Sequence, residues 1–197
     1  MKADAPPVTA APAARRLPMW AAWTIGIGCV VIAWFVALVT PDADTAQAPF
    51  VVSAAVGESA TGRNIEVTVT DVRRAEHVAA GGWSAEGNWV VVDVEAASVL
   101  SEVQLNRAVL VVDGTQFSAS ERPDSIRQAS LTAGIPLSGS LAFELPEGLD
   151  AGDASLEIAL APRGDTRLDS MIVLPFELAE VAEVGDTELL ATEWTNL

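Results

Sequence analysis

Two periodicities divide the chain. Residues 17–40 contain no charge, and Met19–Val39 (MWAAWTIGIGCVVIAWFVALV) is apolar almost throughout. About 20 such residues cross the hydrocarbon layer of a bilayer as a helix, so residues 19–39 predict a transmembrane helix. After Pro49 the period falls to two. Ile65, Val67 and Val69 alternate with Glu66, Thr68 and Thr70, which predicts a strand with one buried face. Residues 88–96 (NWVVVDVEA) are valine-rich and predict a more deeply buried strand. Residues 108–112 and 115–119 flank Asp113-Gly114, a pair suited to a tight hairpin turn. Leu141/Phe143/Leu145, Leu156/Ile158/Leu160 and Ile172/Leu174/Phe176/Leu178 add three further rows. Pro175 marks the last of these as an edge or irregular strand.

These six or seven strands are punctuated by Gly81-Gly82, Asp113-Gly114, Gly134, Gly139, Glu147-Gly148 and Arg163-Gly164. Short strands at this spacing predict an antiparallel β-sandwich. Residues 97–107 suit a loop, a helical turn or part of a strand, and 120–130 read as a loop over one end. The chain then parses into a disordered, Pro/Ala-rich cytoplasmic stub (1–18), a transmembrane helix (19–39) and a linker (40–49). The sandwich (50–178) and an acidic C-terminal tail (179–197) follow, with residues 180–184 suited to a helical turn.

Charge adds direction. The 197 residues carry a net charge of −16, but unevenly. Arg15 and Arg16 precede the apolar run and Asp42 and Asp44 follow it. The positive-inside bias therefore expects a cytoplasmic N-terminus and an extracytoplasmic domain. Trp20, Trp23 and Trp34 lie toward the ends of the run, where indoles favour the interface. Two competing expectations concern processing: signal cleavage at Ala46-Gln47-Ala48, and lipidation at Cys29. From Pro41 on there are eight arginines, no lysine and 26 acidic residues. Such a field repels phosphate backbones, so no nucleic-acid partner is expected. The expected contacts are the lipid bilayer, through residues 19–39, and a protein partner in the cell envelope. Ala22/Gly26 and Ala33/Ala37 are small residues four apart, which suits a weak homodimer of helices.

Candidate chemistry is sparse. Cys29, in the apolar run, is the only cysteine and His77 the only histidine, so the usual zinc ligand sets cannot be assembled. His77 has no Gly-x-Ser-x-Gly elbow to serve. Glu147/Asp150/Asp153 and Asp165/Asp169 offer hard oxygens for a weakly held cation, without EF-hand spacing. No catalytic, cofactor-binding or dedicated metal residue is expected, and the chain is not expected to be an enzyme. Trp83, read as exposed on a loop, and Trp194, in the acidic tail, are the candidate partner-binding residues, because aromatic anchors dominate interfaces.

One resemblance joins these features. The chain runs from Gly57 through Ile65-Glu66-Val67-Thr68-Val69 to Asn88-Trp89-Val90-Val91-Val92-Asp93-Val94. Next comes Leu110-Val111-Val112-Asp113-Gly114-Thr115-Gln116-Phe117. Gly134, Gly139-Ser140-Leu141-Ala142-Phe143-Glu144-Leu145-Pro146 and Leu156-Glu157-Ile158 complete the order. Over residues 50–178 this resembles a domain-of-unknown-function family of bacterial cell-surface proteins, often anchored by one N-terminal helix or a lipid. That family is similar to a secreted mycobacterial immunogenic antigen. The resemblance implies an immunoglobulin-like sandwich in the cell envelope and no established activity. The chain departs from the pattern at Ala97-Ser98-Val99, where a polar turn is usual, and at Ala133-Gly134, where Pro-Gly is usual.

Overall fold

The computed structural model describes residues 18–39, 48–127, 129–160 and 169–195. Residues 1–17 of the stub, most of the linker, the Ala46-Gln47 part of the cleavage site, the Arg163-Gly164 turn, Asp165 and the last two tail residues lie outside the described residues. The chain divides into two units, 1–46 and 47–197.

The first unit holds helix α1 (Met19–Val39), long and apolar enough to cross a membrane; a signal sequence passes the same test. Its described side chains are almost all exposed, so no core of its own explains the composition. At 3.6 residues per turn, Ala22, Gly26, Cys29, Ala33 and Ala37 fall on one stripe.

The second unit is a β-sandwich. Its strands are β1 (Phe50–Ser53), β2 (Ser59–Thr61), β3 (Ile65–Ala80), β4 (Trp83–Ser98), β5 (Val103–Gln104), β6 (Arg107–Val112) and β7 (Thr115–Ser118). These are followed by β8 (Ser130–Leu131), β9 (Leu137–Leu145), β10 (Asp153–Ala159), β11 (Ser170–Glu177), β12 (Ala182–Glu188) and β13 (Glu193–Trp194). One sheet runs β1-β11-β10-β6-β7. The other runs β12-β3-β4-β9-β13, with β2 beside β3, and β5 and β8 form a separate pair. The expected alternation holds where it was strongest. Val90, Val92 and Val94 of β4 and Leu141 and Phe143 of β9 meet Leu110, Leu156, Ile158, Ile172 and Leu174 of the opposite sheet in the main core. The Asp113-Gly114 hairpin forms with both residues at positive φ (47° and 79°), as a type I′ turn requires. Pro175 falls just past the last residue at which β1 pairs with β11, where no ladder bond is needed on that side.

Three features depart from the sequence reading. First, two pairings are parallel, β1 with β11 and β12 with β3, in a sandwich expected to be antiparallel throughout. Second, β3 and β4 are 16 residues each, joined at Gly81-Gly82. Register shifts between Val69 and Asp71 and between Ala75 and His77 break the alternation that would have revealed this length. Third, the sheet does not stop at residue 178. A 3-10 turn (Leu178–Glu180) leads into β12, so residues 182–184 are strand rather than a helical turn, and β13 pairs with β9. Main-chain bonds to β3 and β9 hold this acidic segment, because its own side chains bury little.

The two bulges coil the β3–β4 hairpin over the outer face of its own sheet. Thr187 stands opposite Val78, five residues beyond Arg73, about 16 Å along a straight strand. Yet Arg73 Nε donates to Thr187 Oγ1 at 2.7 Å. Val78 and Ala80, near the hairpin tip, accordingly join Trp89, Val91, Ala142 and Leu189 in a second, smaller core.

Candidate functional site

The coil of the hairpin creates a groove of about 810 Å³. Residues 74–77 of β3 and 86–88 of β4 form one side. The loop after β9 (Glu147, Gly148, Asp150) and β12 (Glu183, Gly185, Asp186) form the rest. Six carboxylates line it, from Glu76, Glu86, Glu147, Asp150, Glu183 and Asp186, against Arg74 and His77.

Local interactions fix this shape. Arg74, nearly buried, pairs with Asp150 at 2.8 Å and Glu183 at 3.5 Å and so ties the loop to the tail strand. Asn88 Nδ2 donates to the carbonyls of Pro146 and Leu149, both at 3.0 Å, which holds the loop on β4. His77 Nδ1 lies 3.2 Å from Asp186 Oδ1. Glu76, Glu86 and Glu147 are exposed to solvent. Among the described residues that line the groove there is no Ser, Thr, Cys or Lys. Among the described residues, no three His, Cys, Asp or Glu side chains converge to hold a metal ion. Glu147, Asp150 and Asp153 are not brought together: Asp150 answers Arg74, and Asp153 lies on β10 opposite Glu177. The excess of carboxylates favours holding cationic groups.

Trp83 differs from its sequence reading. It begins strand β4 rather than riding a loop, and it is half-buried. The hairpin coil brings it edge-on to Trp89, with ring centroids 6.0 Å apart. Arg122 lies over both rings, 5.8 Å and 5.2 Å from their centroids, and pairs with Glu144. Trp89 itself is fully buried, and its Nε1 has no hydrogen-bond partner. A Cβ on Gly87 would stand 3.0 Å from that nitrogen, and Gly87 has φ +153°, so glycine here permits a close approach. Trp194 lies on β13 opposite Leu137 and remains about half exposed (49%). The structure thus keeps the two candidate tryptophans apart, Trp83 against Arg122 and Trp194 at the β9 edge.

A network missed at the sequence level lies beside the second core. Asp93, buried on the outer face of β4, accepts from Arg73 Nη1 at 2.6 Å and from Ser140 Oγ at 2.5 Å. Ser140 Oγ in turn accepts from the backbone N–H of Leu190 at 2.8 Å. Arg73 also reaches Asp71 at 2.8 Å. Burial opposes the charge on Arg73, but the hydrogen bonds and charges of Asp93 and Asp71 outweigh it and hold the guanidinium pKa above its ordinary value. The only sequence signal was an aspartate in the middle of a valine run.

Searches of protein-family models and of curated proteins find no match. Solved structures similar to the chain include an uncharacterized β-sandwich protein from Clostridium difficile 630. It is 11% identical, with a TM-score of 0.44, over 63% of this chain and 93% of that one. The yjhA protein from Bacillus subtilis is 17% identical, with a TM-score of 0.42, over 61% and 98%. A secreted protein from Mycobacterium tuberculosis, MPT63, is 12% identical, with a TM-score of 0.47, over 64% and 97%. A secreted mycobacterial protein thus stands among the solved structures similar to the chain.

Proposed function

We propose that the protein is a non-enzymatic, membrane-anchored binding module. Helix α1 is the anchor, the N-terminus is cytoplasmic, and the sandwich stands outside the cytoplasm. There it engages a cell-envelope protein through a basic segment of that partner. The observation that carries this reading is the groove, where six carboxylates face two basic side chains. A Lys/Arg-rich segment satisfies such a surface, and attraction of this kind speeds encounter and weakens with salt.

Photo-crosslinking groups placed at Glu86 and Glu147 in the full-length protein test this in intact cells. The expected result is capture of one partner at both positions, lost when Glu76, Glu86 and Glu183 are together replaced by Gln. Capture that is indifferent to those replacements, or no capture, overturns it.

The small-residue stripe on α1 supports a second reading, an assembly subunit acting through its helix, with Ala22, Gly26, Ala33 and Ala37 at a homodimer seam. Exchanging residues 19–39 for an unrelated anchor abolishes function under this reading and leaves it intact under the first.

A further inference from the structure

We infer that the end of the sandwich where the chain enters it is a lipid-contacting surface, seated on the interfacial layer of an uncharged bilayer. The inference rests on the anchored reading of α1. Among the described residues from 48 to 195, eight large apolar side chains are exposed, and five lie at this end: Phe50, Val99, Leu100, Ile135 and Trp194. Their common location follows from the pairing. Phe50 stands opposite Ser170, whose Oγ accepts from Arg63 N at 2.8 Å. The next residue, Asn64, caps the 99–101 loop by accepting from the N–H groups of Leu100 and Ser101 at 2.6 and 3.1 Å. Gly134 N donates to Ser98 O and places Ile135 beside the same loop, while Thr195 N donates to Pro136 O and brings in Trp194.

Chain length supplies the occupant. Only ten residues of chain separate Val39 from Phe50, so the entry end is the part of the sandwich joined most directly to the anchor. Membrane surfaces take Trp, Phe and Leu side chains at this depth. The acidic groove is at the opposite end, beyond the last residue of β9. Of the acidic groups near the apolar rim, Asp169 turns back to accept from Ser170 N at 2.8 Å. Glu102 and Glu193 remain exposed, which disfavours anionic lipid and points to a zwitterionic surface.

The test uses the full-length chain with Cys29→Ser, reconstituted in phosphatidylcholine vesicles. Single nitroxide labels are placed through Leu100→Cys, Ile135→Cys, Gly148→Cys and Ile32→Cys. Collision with oxygen, which concentrates in lipid, is compared with collision with a water-soluble nickel complex. The expected result is that the oxygen-to-nickel ratio at 100 and 135 rises above that at 148 toward that at 32. Equal ratios at 100, 135 and 148 overturn the inference. Shielding of 100 and 135 from both reagents also overturns it, since that marks a protein cover. A water-like ratio at 32 instead overturns the anchored reading itself, so the two failures are distinguishable.

Discussion

Asp93 has two hydrogen-bond donors and almost no solvent, which makes it the residue whose loss should be felt most. Replacing it with Ala leaves Arg73 mostly buried with only the exposed Asp71 as a carboxylate partner. Removing one member of a buried pair costs on the order of 3 kcal/mol. Urea denaturation of Asp93→Ala should show that loss, and Asp93→Leu with Arg73→Met should recover part of it. Glu177 shows the reverse situation. Its hydrogen bond with Asp153, then the charge of Asp153, raises its pKa, with smaller contributions from Glu180 and Asp113. A carboxyl group whose pKa is higher in the folded chain favours folding while protonated, and that contribution is lost as pH rises through the folded value. At neutral pH the charged pair repels. Glu177→Gln should therefore melt above the parent protein at pH 7, and the difference should close as the pH falls into the carboxylate range.

The elements differ in how much of them is written in the sequence. Ile65–Val69 and Leu141–Leu145 announce themselves, because one face meets the opposite sheet and every second residue must be apolar. The distal half of β3 (DVRRAEHVAA) does not, since two bulges reset its phase. Nor does β12, whose neighbours on both faces are largely solvent, so that nothing selects apolar residues there. Among the described residues of the tail, the apolar one that is buried is Leu189, against Trp89, Val91 and Ala142. Leu189→Ala should cost about 2–3 kcal/mol in thermal or chemical denaturation, as truncation of a packed leucine does. Amide exchange should quicken from Thr187 to Leu190, where the bonds to Arg73 and Ser140 hold the segment, while the β6–β7 hairpin stays protected.

At the scale of the whole molecule, the composition foretold an acidic surface but not its distribution. The carboxylates of the groove come from β3, β4, the loop after β9 and β12, segments up to 110 residues apart in the chain. Only the coil of the hairpin and the return of the tail place them together. The candidate site was legible in sequence as excess charge and a lone histidine; its location was not, because it depends on bulges and edge pairings that leave no periodic trace. If the groove recruits a basic partner, binding of the full-length protein to a Lys/Arg-rich peptide should weaken steeply between low and physiological salt. Arg74→Gln should loosen the groove by freeing Asp150 and Glu183, measurable as faster proteolysis of the 147–150 loop.

The edge pairings also set a timetable for synthesis. Strand β1 pairs only with β11, and the far half of β3 waits for β12, so the earliest strands find partners among the last. Between the emergence of Ser98 and that of Glu188, the end of β12, lie 90 residues, about 5–18 s of translation at ordinary rates. Throughout that interval the nascent β3–β4 hairpin, with strands of 16 residues each, presents an unclosed edge to any neighbouring chain. A ribosome that stalls or terminates before residue 182 would release a sheet with both of its adhesive borders open, and such products should appear as aggregates rather than as shortened soluble protein.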